Sequence, residues 1–524
     1  MTALRSSVYD TIVIGSGFGG AMVALPLVES GQRVLMLERG DWVPEGPQRA
    51  DPVRGFFQLT PAYTLETAYE VRQRKRRHHE GICACVGGPS VFYGGAAFRL
   101  RREDFHPPAQ IVGNSGAEWP FSYDDLEPHY ARAEMLLGVA GRAGEDPTEP
   151  PRSAPYPRSP VALAPISRRI VEAAQEMGLH PFRIPLAFDE RSGACLYCDG
   201  YACHSGSKHD IASRVIPRLI EGGLELRPAT VAIRLEARRG RVVGVEVYDR
   251  TRRERRELRA ERVVLAAGAL ASPHLLLASG LASENSAGDA IGRYLMRHCN
   301  AFVYAFFPKA PNPEGLHHKQ VAINDFYFGD PEGGPADKLG NIQQVMHPQP
   351  GGILRGPARR LARAGGLGRA LERAMARAIA PASLRMTGLQ VIAEDQPRWE
   401  NRIELERGGA DAVGLPRARI AHAYTERDLA ARAALVRRAK QILGRVPGAH
   451  VVHVHEVETF SHAVGTVRAG PDPRRAPLDE FCQFRGIANL YVVDGSFMPT
   501  SGGVNPSLTI AANALRVGER VARS

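Results

Sequence analysis

The chain holds 524 residues, 44% of them hydrophobic and 23% charged, both near the globular average. That excludes a disordered tail, a collagen and a small disulfide scaffold, and the length allows several domain-sized units. Basic residues exceed acidic ones by 67 − 56 = 11, a balance that can attract nucleic acid, lipid headgroups or acidic substrates. No zinc-finger spacing or RNA-binding aromatic signature accompanies the charge, so nucleic acid is not an expected partner.

No apolar run approaches the roughly eighteen residues of a membrane span. Met1–Tyr9 carries one Arg and no apolar core, unlike a secretory signal. The cysteine count of 7 is odd, which points to a reducing, cytoplasmic setting.

In chain order, the first element expected is a strand, Tyr9–Ile14, rich in β-branched residues. A turn, Gly15-Ser16-Gly17-Phe18-Gly19-Gly20, follows. A helix over 21–29 and a strand over 33–37 ending at Glu38 complete a βαβ unit; Pro26 should kink that helix. Residues 41–81 read as irregular, and 86–95 as a second glycine-rich turn. A helix is expected after Trp119, with Ser122 or Asp124 as its cap, and another over 167–177. Strands are expected over 224–247, turning at Arg239-Gly240, and over 262–266. The latter leads through Ala267-Gly268 into a helix.

From 300 to about 450 the pattern reads as mixed strand and loop. Within it, Arg355, Arg359, Arg360, Arg363, Arg369, Arg373 and Arg377 alternate with Leu354, Leu361, Leu367, Leu371, Met375 and Ile379. A helix so spaced could meet a membrane surface or acidic partner. Gly356-Pro357 and Gly365-Gly366 interrupt it, so a loop or short surface helix is expected. A last strand over 489–493 ends at Asp494-Gly495, and a closing helix starts at Pro506.

The Gly15-x-Gly17-x-x-Gly20 turn lies between strand and helix, with Glu38 placed 23 residues after Gly15. Such glycines let backbone approach a pyrophosphate at a helix start, and the acid can accept from ribose hydroxyls. The motif alone does not separate NAD from FAD. Asp494 could serve the cofactor through its neighbouring amides. The helix dipole behind Pro506 suits the edge of an anionic flavin. Asn505 could simply cap that helix.

Taken together, several motifs resemble the glucose–methanol–choline (GMC) family of FAD oxidoreductases. They are the glycine-rich start, Val86-Gly87-Gly88-Pro89-Ser90, Trp119-Pro120-x-x-Tyr123-Asp124-Asp125-Leu126, Ile291-Gly292-Arg293-Tyr294-Leu295-Met296-x-His298, His462-x-x-Gly465-Thr466, and Asn489–Ser496 running on to Gly503-x-Asn505-Pro506. They occur in order along nearly the whole chain. Cys195–Lys208 and Glu394-Asp395-Gln396-Pro397 look most like the bacterial sugar and polyol dehydrogenases, and Gly503-Val504-Asn505-Pro506 is similar to cholesterol oxidase.

The resemblance implies an α/β fold. A Rossmann-like FAD domain (1–300 with 485–524, with insertions near 41–80 and 105–205) would join a substrate domain (301–484) bearing an antiparallel sheet. It implies a catalytic pair, His462 and Asn505. It also implies FAD contacts at Gly15, Gly17, Phe18, Gly19, Gly20, Glu38, Arg39, Gly87, Gly88, Ser90, Val231, Ala267, Gly268, Asp494, Gly495, Asn505 and Pro506. Some relatives hold flavin covalently through a histidine in the second glycine turn. Here Ser90-Val91-Phe92-Tyr93 carries none, so FAD is expected to be non-covalent.

The implied reaction oxidises a CH–OH group of a sugar, glycoside or polyol, with His462 taking the hydroxyl proton and hydride passing to flavin N5. A bulky alcohol such as a sterol, or non-redox lyase or isomerase chemistry, is the alternative. The electron acceptor (O₂, a quinone or a redox partner) is not legible. Cys195, Cys198 and Cys203 read as free thiols, with an iron–sulfur cluster as a second reading.

Overall fold

The computed structural model describes residues 9–46, 69–73, 76–189, 200–335, 337–348 and 365–524. Ile12 and Val13 are fully buried because Tyr9–Ile14 is the middle strand of a five-stranded parallel sheet. The order is Leu490–Val492, Ala260–Leu265, Tyr9–Ile14, Val34–Leu37, Glu225–Arg227. A parallel sheet needs cover on its faces. Two helices that supply it, Phe18–Glu29 and Ser507–Ala522, touch so closely that a Cβ on Gly518 would lie 2.6 Å from the Val23 carbonyl oxygen.

Pro26 does not end the helix, which runs through it to Glu29, and Ser30 N–H donates to the Pro26 carbonyl at 3.0 Å. Ser122 is the cap of the helix Tyr123–Leu137, accepting from Asp125 N–H, and Gly138 ends it with φ +58°. Arg239 and Gly240, at φ +51° and +70°, turn the hairpin of Thr230–Arg238 and Arg241–Asp249, the two-residue geometry that matches strand twist.

A second, six-stranded sheet is antiparallel throughout, in the order His450–Glu456, Ala301–Phe306, Met386–Ala393, Gly340–Val345, Val321–Ile323, Phe182–Arg183. One face packs Ala301, Val303, Ile342, Leu389 and Val391 into a core with residues of the helices Pro165–Gln175 and Glu426–Arg445. Side chains alternate across a strand. The paired residues Phe302, Gln390 and Gln343 therefore line the opposite face, with Asn341 two residues along.

The reading of 300–450 as strand and loop needs correcting. Glu426–Arg445 is a 20-residue helix whose Thr425 cap accepts from Asp428 N–H, a capping box visible as Thr-Glu-Arg-Asp. Gly365–Ser383 is a 19-residue helix rather than a short one, and 355–364 lie outside the described residues. Part of the stretch read as irregular, Tyr69–Gln73 and Arg76–Glu80, pairs with Pro416–Ala421 and Arg402–Ala410 in a four-stranded sheet. Val464, Val467, Leu478 and Phe484 return to the core of the parallel sheet. Among the described residues no helix is long and apolar enough to cross a membrane.

Candidate active site

The glycines after the first strand do different work. A Cβ on Gly15 (φ +104°) would lie 2.3 Å from the Ala266 carbonyl oxygen, and one on Gly20 would lie 1.9 Å from that of Gly15. These two allow the helix to close onto the sheet. Gly17 has an ordinary φ of −73°, and a Cβ there would meet nothing nearer than Pro89 Cδ at 4.0 Å. Gly17 therefore keeps backbone bare at a helix start with no side-chain cap and no acid in its first turn, where a pyrophosphate is favoured.

Beside it, Gly87 N–H donates to Ser16 Oγ at 3.0 Å, and Gly88 backs onto Gly17. Ser90 Oγ donates to the Gly87 carbonyl at 2.6 Å and accepts from Ile211 N–H at 3.0 Å. Phe18 packs edge-on to Tyr93, whose hydroxyl donates to the His209 carbonyl.

Glu38 is buried. Its carboxylate accepts from Ser16 N–H, Ser16 Oγ–H and Gly40 N–H at 3.1, 2.6 and 2.9 Å. Burial holds its carboxyl above the usual range against those bonds. Val231 is buried next to Thr230, whose N–H donates to the Glu38 carbonyl at 2.8 Å. Arg39 turns away and pairs with Asp411 at 3.2 Å. Asp494 accepts from Gly268 N–H, Ser272 Oγ–H and Ser496 N–H, and burial raises it too. The Ala267 N–H donates to Ser272 Oγ at 3.2 Å. Gly495, whose added Cβ would lie 3.0 Å from the Ala463 carbonyl, brings the His462 segment against this turn. A second uncapped helix start stands at Pro506.

His462 and Asn505 come together: Asn505 Nδ2 lies 3.3 Å from His462 Nε2. Asn505 does not cap its helix. Its Oδ1 accepts from Gln343 Nε2 at 3.0 Å, and Gln343 also donates to Asn341 Oδ1 at 2.9 Å. This chain of amides fixes the Asn505 donor toward the imidazole. His462 also meets His298, with Nδ1 atoms 2.9 Å apart. Burial, then the neighbouring imidazole of His298 and the charge of Lys319, push His462 well below the ordinary imidazole range, so the ring is neutral at pH 7.

The loop before Asn505 is held from below. Asp395 accepts from Arg297 N–H, His298 N–H and Ser501 Oγ–H at 2.9, 3.1 and 2.9 Å. Glu394 accepts from Gly502 N–H at 3.0 Å, and buried Lys338 ion-pairs with both Glu394 and Asp104. Tyr327 donates to Asp104 and accepts from Gly503 N–H at 2.9 Å.

His298, Gln343, Asn341, Lys319 and Asp395 were not singled out from sequence as site residues. His298 and Asp395 stand inside motifs quoted above, which was the available signal; the buried amides had none. Of the cysteine cluster, Cys195 and Cys198 lie outside the described residues. Cys203 Sγ accepts from Lys208 N–H at 3.4 Å.

Comparison with known proteins places this geometry. Profiles described as GMC oxidoreductase match residues 9–300 and 397–514. The chain is 31% identical to 6'''-hydroxyparomomycin C oxidase of Streptomyces lividus, over 98% of this chain and 91% of that one. It is 28% identical to 2-methyl-1,2-propanediol dehydrogenase of Mycolicibacterium austroafricanum, over 98% and 95%. Among solved structures it is similar in fold to pyridoxine 4-oxidase from Mesorbium loti, with a TM-score of 0.66, 19% identity and coverage of 98% of this chain and 99% of that one. The parallel sheet with its bare glycine turn, the antiparallel second sheet and the matched profiles agree: the chain belongs to the GMC oxidoreductase family, FAD-binding enzymes that act on CH–OH donors.

Proposed function

We propose that this enzyme oxidises a CH–OH group of a hydroxyl-rich substrate, a sugar, glycoside or polyol, with His462 taking the hydroxyl proton and the Asn505 amide donating to the substrate oxygen. The observation that carries this reading is the hydrogen-bonded run Gln343–Asn505–His462. It places one amide donor and one neutral imidazole side by side, the pair that alkoxide formation requires.

FAD fits the residues present. The open face of Gly17, the two uncapped helix starts, and the anchored carboxylates of Glu38 and Asp494 suit its pyrophosphate and ribose hydroxyls. Gly15, Gly19, Gly20, Gly87, Gly88 and Gly495 would keep the backbone close, and Phe18, Ser90, Val231, Ala267, Gly268 and Pro506 would line the cofactor. Arg39 would stand at the edge, its guanidinium committed to Asp411. Bound FAD supplies the two-electron acceptor. Attachment is non-covalent, since the segment 86–93 carries no histidine and the Ser90 and Tyr93 hydroxyls are engaged.

A hydroxyl-rich substrate is favoured by the polar wall. Among the described residues the buried Oε1 of Gln343 has no hydrogen-bond partner, and a sterol would leave it so at a cost of about 1–3 kcal/mol. The test is an anaerobic screen of sugars, glycosides, polyols and sterols, read as loss of flavin absorbance. Bleaching by polyhydroxylated compounds supports the reading; bleaching by sterols alone overturns it.

A further inference from the structure

The histidine that faces the active-site imidazole decides which of its nitrogens is free. Met296 and Val464 exchange both backbone hydrogen bonds, each 3.0 Å. In antiparallel pairing, the residue two after one partner lies opposite the residue two before the other. That sets His298 against His462. The two rings are perpendicular, with centroids 5.1 Å apart.

Two imidazole nitrogens 2.9 Å apart share one proton, with an N–H on one side and a lone pair on the other. The far side of His298 settles which. Its Nε2 lies 2.8 Å from the Gly502 carbonyl oxygen and 3.2 Å from that of Ser501. Carbonyls only accept, so His298 Nε2 carries a proton. Burial holds the ring neutral, so its Nδ1 is a lone pair. His462 Nδ1 must then be the N–H, and His462 Nε2 carries the lone pair, which the Asn505 amide faces at 3.3 Å.

The backbone of His298 is fixed as firmly. Its φ of +61° lies in the left-handed region, unfavourable for a side-chain-bearing residue. It is held there by its N–H on Asp395 and its carbonyl accepting from Tyr424 Oη at 2.7 Å.

We propose that His298 is a positioning residue that holds His462 in the Nδ1–H tautomer and thereby presents the Nε2 lone pair to the substrate hydroxyl. The catalytic part of this rests on His462 being the base; the tautomer itself does not. Once His462 takes a proton at Nε2, its bond to His298 becomes charge-assisted and so stronger, which stabilises the imidazolium without moving either ring.

The test uses FAD-loaded enzyme with ¹⁵N-labelled histidine and a long-range ¹H–¹⁵N correlation spectrum. The His462 signals are assigned by their loss in His462→Gln. The expected result is a protonated Nδ1 and a lone-pair Nε2 in the wild type, retained in His298→Asn, whose Oδ1 can accept in place of Nδ1, and lost in His298→Leu. Anaerobic flavin reduction should fall about 10²-fold or more in His298→Leu, in the range of a lost general base, and recover most of the way in His298→Asn. An Nε2–H tautomer in the wild type overturns the proposal, even if neither variant folds. So does an unchanged tautomer in His298→Leu. If the tautomer is as stated but His462→Ala reduces flavin at the wild-type rate, the positioning assignment stands and the base assignment falls.

Discussion

The carbonyl oxygen of the Asn505 side chain is held by Gln343 at 3.0 Å while its amide nitrogen faces His462 at 3.3 Å. The donor is thus oriented before any substrate arrives, and preorganised donors contribute most to stabilising charge that develops on oxygen. Asn505→Ala should lower the rate of flavin reduction about 10²–10³-fold while FAD stays bound. Gln343→Leu frees the amide to rotate and should cause a smaller loss in the same stopped-flow measurement. Equal rates for both variants and wild type would remove the donor role.

Loss of the base should be read in the same way. His462→Ala is expected to purify yellow and to lose about 10²–10⁴-fold in reduction rate. A change within about threefold is below the usual general-base effect and would rule the assignment out.

The pH dependence follows from the neutral ring. A base works only when unprotonated. The His462 value is pushed down by burial, by the neighbouring imidazole of His298 and by the charge of Lys319, so the acid limb of kcat/KM should lie below the unperturbed imidazole value of about 6.5. Activity should hold from neutral pH downward and fall only as pH drops through that lowered value. Lys319→Gln removes the opposing charge, and its acid limb should move upward. A limb at or above about 6.5 in the wild type contradicts this.

The two kinds of glycine should separate folding from cofactor binding. Gly17→Ala meets no close atom and suits its φ of −73°. The apoprotein should therefore keep its melting temperature while FAD affinity drops tenfold or more, on the order of 1.4 kcal/mol, as a methyl enters the open face. Gly20→Ala, with its 1.9 Å clash on the Gly15 carbonyl, should yield little soluble protein. Apo melting curves and flavin titration distinguish the two.

Lys338 is the cation shared by Glu394 and Asp104, both of which are fully buried. Lys338→Met leaves two uncompensated carboxylates and should lower the unfolding free energy by about 3–5 kcal/mol in urea titration. Because Glu394 accepts from Gly502 N–H, reduction kinetics should suffer as well. An unaffected midpoint would show that the triad relaxes without cost.

What sequence revealed follows from range. The glycine turn and Glu38 belong to one βαβ unit, whose logic is local. The His462–Asn505 pair was legible only through family likeness, because it depends on two loops meeting. His298 was invisible as a functional group for a related reason: its place opposite His462 comes from the Met296–Val464 pairing, set by residues far apart in the chain. Gln343 and Asn341 break the apolar pattern expected of a central strand, so Gly340–Val345 had no strand signature although all six residues are buried. The helix Glu426–Arg445 was missed for another reason. Its arginines masked a core-facing stripe of Ala431, Leu435, Ala439 and Ile442, although the capping box at Thr425 was in plain view.

Leu490–Val492 completes the edge of the parallel sheet, and the closing helix locks onto Val23 through Gly518. During translation, the nucleotide-binding unit that begins at residue 9 must therefore wait for residues 490–492 to be synthesised before its last strand can dock. Flavin capture is on this account a late event in biogenesis, and a ribosome stalled short of residue 490 would carry a half-built nest unable to retain its prosthetic group.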